Sequence, residues 1–137
     1  HPVVHLHLFN SCGELYLQKR PAWKDIQPGR WDTAVGGHVD WGEEPLAALR
    51  REVREEVGVT DFEPQHVLTY LFESEREREL VYVYKTVYDG PVVPSGELDG
   101  GRFWTLREIA EGVGGGIFTP NFEGEIRRVA ELPDVGR

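Results

Sequence analysis

Three glutamates, Glu52, Glu55 and Glu56, lie at i, i+3 and i+4 in the stretch Gly37 to Val59, GHVDWGEEPLAALRREVREEVGV. On a helix that spacing gathers their carboxylates on one face. Like charges at i,i+4 weaken a helix by about 0.2–0.5 kcal/mol per pair, and Glu52–Glu56 is such a pair. Glu55 and Glu56 also lie toward the helix C-terminus, the end of the dipole that repels anions. A positive partner is therefore expected. Arg51 can neutralise Glu55 at i,i+4. A hard divalent cation, Mg²⁺ or Mn²⁺, can neutralise the remainder, because such ions take carboxylate oxygens together with water and phosphate. The alternative is a solvated acidic face, the usual fate of a charge cluster.

The element that must hold these groups is a helix. Pro45 suits its first position, where a missing N–H costs nothing. Gly58 suits its stop, where a left-handed backbone is common. At about 100° per residue, Leu46, Leu49, Val53 and Val57 form one apolar stripe, with the glutamates on another face.

The full pattern is Gly37, five residues, Glu43, seven residues, then Arg51-Glu52-Val53-Arg54-Glu55-Glu56-Val57-Gly58-Val59. It resembles the Nudix signature and fits it at every fixed position. The resemblance implies an α+β fold with a mixed sheet between helices, an αβα sandwich. It implies Mg²⁺- or Mn²⁺-dependent hydrolysis of a nucleoside diphosphate derivative or a related diphosphate. Metal ligation is then expected from Glu52, Glu55, Glu56 and the Gly37 carbonyl. Arg51 would orient a glutamate by ion pairing, and Glu43 would hold the loop-to-helix geometry; with the three glutamates they make the expected catalytic set. The general base is left to this helix or to a later glutamate, Glu79 or Glu97, each of which also reads as surface charge. The chemistry is consistent with the type of site: splitting a P–O–P linkage requires negative charge to be offset while water attacks phosphorus.

A wider stretch, LYLQKRPAWKDIQPGRWDTAVGGHVDWGE, is similar to the isopentenyl-diphosphate isomerase branch of the same superfamily. That likeness implies a diphosphate grip by Arg20 and Lys24. It also implies a metal held by His1, His38, Glu77 and Glu79, so His38 and Glu79 join the candidate substrate site. Arg20 and Lys24 are otherwise ordinary loop cations. The isomerase pattern fails at two positions. Its catalytic cysteine is Gly36 here, and the aromatic residue expected after Thr119-Pro120 is Asn121. Moving protons on and off an allylic carbon needs an acid and a base that Gly36 cannot supply, and the isomerases lack most of the helix glutamates present here. A hydrolase is therefore the expected enzyme, with an isomerase or a non-catalytic nucleotide sensor as the alternatives.

Strand signals surround the helix. Val3 to Phe9 alternates apolar residues with His5 and His7, which read either as polar residues on a sheet face or as a pocket wall. Glu14 to Gln18, Thr33 to Val39, Gln65 to Glu73, Leu80 to Tyr88 and Arg102 to Thr105 also read as strands. Gln27 to Asp32 and Asp89 to Gly101 carry turn chemistry. Helices are expected over Leu106 to Glu111 and about Asn121 to Leu132, the latter capped by Thr119 or Asn121. Gly114 to Gly116 reads as a hinge or loose tip. Trp23, Trp31 and Trp41 surround the expected pocket in sequence, as stacking surfaces for a base or as packing. Trp104 reads as core.

At 137 residues one domain with a real core is expected. The net charge of −9 argues against a nucleic-acid polymer or an anionic membrane as partner, though not against a small phosphorylated substrate. Cys12 is the only cysteine, so no intrachain disulfide forms and a reducing, cytoplasmic compartment is expected. Cys12 itself lies in a turn and reads as inert. The chain lacks methionine, so residues ahead of His1 are expected. A homodimer is compatible with the sequence, and no residue compels one.

Overall fold

The computed structural model describes residues 1–23, 27–96 and 100–136. Its elements run β1 (Pro2–Phe9), β2 (Leu15–Lys19), β3 (Trp31–Thr33), β4 (Val35–His38), α1 (Pro45–Val57), β5 (Gln65–Glu73), β6 (Arg78–Val87), β7 (Gly101–Trp104), α2 (Leu106–Gly112) and α3 (Pro120–Val129).

Strand β1 is the axis. Successive side chains of a strand point to opposite faces. Val4, Leu6 and Leu8 therefore go one way and pack with Ala48, Leu49, Val53 and Val57 of α1. His5 and His7 go the other way, to a carboxylate on α3. Along one edge β1 runs parallel to β6, from Pro2↔Leu80 to Phe9↔Val87. Along the other edge it changes partner. Val3 to Leu6 lie antiparallel to β4, and Leu8 and Phe9 lie antiparallel to β2. Strands β3 and β7 extend β2, and β5 closes the far side on β6. Leu15 and Leu17 of β2 pack with Ile109 of α2 and with Phe122 and Ile126 of α3. The mixed sheet thus carries α1 on one face and α2 with α3 on the other, the αβα sandwich expected.

Local signals placed α1 well. Pro45 stands at its start, and Gly58 ends it with φ 69°, its N–H donating to the Arg54 carbonyl at 3.1 Å. The buried stripe differs by one residue. Leu46 in the first turn stays 44% exposed, and Ala48 is buried instead.

Several boundaries differ from the sequence expectation, and the expected strand Thr33 to Val39 is divided between β3 and β4. Trp31 and Asp32 join Thr33 in a strand rather than a turn, because residues distant in the chain satisfy the backbone: Trp31 N–H donates to the Ile117 carbonyl and Thr119 N–H to the Trp31 carbonyl. β6 begins at Arg78, paired with Glu73 across the hairpin. α3 begins at Pro120, where the Thr119 hydroxyl accepts the Phe122 N–H, and stops at Val129 where Ala130 turns extended. Gly114 to Gly116 is a hydrogen-bonded turn rather than a loose tip, with Gly114 N–H on Glu123 and Gly115 N–H on the Gly112 carbonyl. Among the described residues no helix is long and apolar enough to cross a membrane.

Candidate active site

Arg51 ties the signature loop to its helix. Its Nε and Nη2 donate to the two oxygens of Glu43, at 3.0 and 2.9 Å. Nη1 donates to Glu52 at 2.7 Å, and Nη2 also reaches the His38 carbonyl at 3.0 Å. Glu43 in turn accepts the Asp40 N–H. The Arg51 guanidinium, with that backbone bond, pulls the Glu43 carboxyl down to about 2. Glu55, the partner expected for Arg51 from i,i+4 spacing, is the more distant one at 3.8 Å and is 54% exposed. The bidentate fork goes to Glu43 instead, because a planar guanidinium fits two oxygens of one carboxylate.

Glu56 is turned inward. Its Oε1 accepts Gln18 Nε2 at 3.4 Å and the Gly36 N–H at 3.5 Å. Its carboxyl group also hydrogen-bonds that of Glu52. Burial, reinforced by the bond to Glu52 and its charge, pushes Glu56 up to about 9. Two carboxyl groups held together away from bulk water retain a proton between them. A hard divalent cation would use the same oxygens and supply more charge, so this donor set fits the ion that the signature implies. Gly37 lies against it: a Cβ there would fall 2.2 Å from Glu52 Cδ. Among the described residues no three His, Cys, Asp or Glu side chains form a closed ligand group.

A cleft of about 1200 Å³ collects the candidate residues. Gly37, His38, Glu52, Glu55 and Glu56 line it, together with Arg20 and Glu79. Glu43 and Arg51 are absent from the lining and brace it through Glu52 and His38. Arg20 stands 3.6 Å from Asp32, another lining residue, which anchors β3 to the start of α3 by accepting from Thr119 Oγ1. His38 Nε2 lies 3.8 Å from Glu79, and the His1 and His38 rings are 6.3 Å apart. Burial and the Glu79 charge raise Glu77 beside them. Lys24 and Glu97, expected as a diphosphate ligand and a candidate base, lie outside the described residues.

A match to the NUDIX domain family model extends over residues 1–122. The chain belongs to the Nudix family. It is 36% identical over 97 residues to an uncharacterised Nudix hydrolase of Pseudomonas aeruginosa, a match covering 70% of this chain and 57% of that one. It is 30% identical over 116 residues to an isopentenyl-diphosphate Delta-isomerase of Serratia proteamaculans, covering 81% of this chain and 63% of the isomerase. The match thus spans less than two thirds of either relative's length. The crystal structure of DR0079 from Deinococcus radiodurans superposes with a TM-score of 0.79 at 26% identity, over 93% of this chain and 81% of that one.

Within this Nudix chain, the departures from the isomerase pattern fall in the cleft itself, which Gly36 and Asn121 both line. Of the tryptophans near the signature, Trp23 lines the cleft, Trp41 is fully exposed, and Trp31 packs edge-on against the buried Trp104 at 5.2 Å. Cys12 is an exposed thiol in the β1–β2 turn. Sequence reasoning did not single out Gln18, Asp32 or Glu125. Glu125 left a trace: it interrupts the apolar stripe of Phe122, Ile126 and Val129 on α3 and is nevertheless buried.

Proposed function

We propose that this chain is a divalent-cation-dependent hydrolase that splits the P–O–P linkage of a small-molecule diphosphate, a nucleoside diphosphate derivative or a close chemical relative. The observation that carries the reading is the Glu52–Glu56 carboxyl pair, held together inside a cleft that Arg20 also lines. Glu52, Glu55, Glu56 and the Gly37 backbone would hold Mg²⁺ or Mn²⁺. Such an ion supplies Lewis acidity toward phosphoryl oxygens and eases the ionisation of water at neutral pH. The protein's own groups do the rest. Arg51 holds Glu52 in place, and Glu43 holds Arg51. Arg20 offers a guanidinium to phosphate oxygens, a pairing suited to its planar donors. Glu55 and Glu79 are two lining carboxylates outside that pair that could accept the proton of the attacking water.

The isomerase relative makes allylic isomerisation the second reading. Gly36 and Asn121 present neither a thiol nor an aromatic face to the cleft, so the groups expected at those two positions for moving the proton and shielding a carbocation are not there. Isopentenyl diphosphate incubated with Mg²⁺ should yield no dimethylallyl isomer. The deciding experiment is a panel of diphosphates with Mg²⁺, with Mn²⁺ and with chelator, followed by phosphate release and product mass. Cation-dependent cleavage of at least one member is expected; an inert panel would refute the hydrolase.

A further inference from the structure

The most elaborate polar cluster outside the signature surrounds Glu125. This side chain is 1% exposed. A buried carboxylate is tolerated only when its charge is met by donors. Here His5 Nδ1 lies at 2.7 Å from one oxygen, His7 Nε2 at 2.9 Å from the other, and the Tyr70 hydroxyl donates to the first. An ionised carboxylate only accepts, so each ring nitrogen facing it carries a hydrogen. The two histidines therefore hang from one carboxylate by opposite nitrogens.

That difference separates their roles. His7 is wholly buried, stacks on Phe122, and has its second nitrogen, Nδ1, sealed without a partner. His5 has its second nitrogen, Nε2, directed away from Glu125 in a side chain that lines the cleft and is 14% exposed. Gly36, paired with His5 across β1 and β4, puts no side chain over it; a Cβ there would lie 3.7 Å from Nε2. No described residue hydrogen-bonds that Nε2.

We propose that His5, locked by Glu125, is a substrate-positioning residue whose Nε2 binds an anionic oxygen of the ligand in the cleft. The charges agree with the geometry. Burial disfavours a proton on His5, but Glu125, Asp32 and Glu79 outweigh it and raise the group above its ordinary value, which favours a second hydrogen, on Nε2, where the ring faces an anion. His7 and Tyr70 satisfy the remaining capacity of Glu125, so the carboxylate fixes the His5 ring without competing for Nε2. The chemistry of the ligand follows from the proposed function: a phosphate or diphosphate oxygen.

The test uses methylenediphosphonate, a non-cleavable diphosphate, with the whole chain and Mg²⁺. Nitrogen-15 spectra of the histidine rings in the unmutated protein are the first arm and depend on no variant folding. With ligand bound, His5 should carry a hydrogen on each ring nitrogen, its Nε2 resonance should move on ligand addition, and the His7 nitrogens should stay put. Calorimetry is the second arm: His5→Gln should weaken binding about tenfold, the loss of one hydrogen bond between charged groups. Binding that leaves Nε2 unmoved, or that is as tight in His5→Gln, overturns the role of His5 and leaves the hydrolase standing. An unmutated protein that does not bind the diphosphonate overturns both.

Discussion

The carboxyl groups of Glu52 and Glu56, one turn apart on the same helix, hydrogen-bond each other within the cleft. Two carboxylates at that separation repel when both are ionised. The fold nevertheless holds them together: Arg51 pins Glu52, while Gln18 and the Gly36 N–H pin Glu56. Such an arrangement keeps a proton or takes a cation, and the proposed reaction needs the cation.

Replacing Glu56 with Gln removes a charge but keeps its shape and its contact with Glu52. Phosphate release should fall by about two orders of magnitude, as when one group that offsets transition-state charge is lost. The melting temperature without metal should stay within about 2 °C, since the amide resembles the protonated carboxyl it replaces. Mg²⁺ should no longer raise it. Undiminished turnover in this variant would exclude Glu56 as a ligand.

Arg51 carries more contacts than any other charged side chain of the signature. Arg51→Ala leaves Glu43, Glu52 and the His38 carbonyl without their donor, and should cost about 2 kcal/mol in a urea titration. Arg51→Lys should recover only part of that, because an ammonium cannot serve both Glu43 oxygens at once. Equal stability for Lys and Arg would show that the fork is dispensable.

The pH dependence of stability should carry the mark of Glu43. Its carboxyl is held down to about 2 in the folded chain, below the ordinary 4.5 it regains on unfolding. Between these values the unfolded state binds more protons, so stability rises with pH. The contribution is complete above about 4.5 and is lost as pH falls through about 2. The melting temperature of Glu43→Gln should therefore lag the unmutated protein at pH 6 and converge on it as the pH approaches 2. A constant gap from pH 6 to pH 2 would place the stabilisation elsewhere. Because Glu43 is at the surface, the gap should also narrow in 1 M salt.

Gly37→Ala should be a folded protein of reduced activity. The added Cβ would fall 2.2 Å from Glu52 Cδ, and the flexible end of Glu52 is the part that can yield. Yielding takes Glu52 away from Arg51 and Glu56. Phosphate release should fall by about tenfold or more, in keeping with the rate cost of a misplaced group. Circular dichroism should be unchanged. Normal turnover would mean that Glu52 works equally well from a second position.

Much of the site was legible because it is local. The spacing of Glu52, Glu55 and Glu56, with Pro45 and Gly58 at the ends, depends on one helix and its 3.6-residue period. Alternation in β1 likewise showed that His5 and His7 share a face. Trp31 and Asp32 carry turn chemistry yet form a strand, because their strand partners, β2 and the Ile117 to Thr119 segment, come from other parts of the chain. Glu55 and Glu56 are adjacent in sequence and could not be told apart by pattern; β2 and β4 partly bury Glu56 and leave Glu55 exposed.

The chain's own order of residues determined that an acidic helix face exists, since helix geometry and charge repulsion act within a few residues. Only the closed sheet decided which of those carboxylates is desolvated. Only the closed sheet brought Glu125 to His5, 120 positions apart along the chain. Burial and long-range hydrogen bonds are properties of surfaces that meet, and β1 and α3 meet only once the intervening strands have paired.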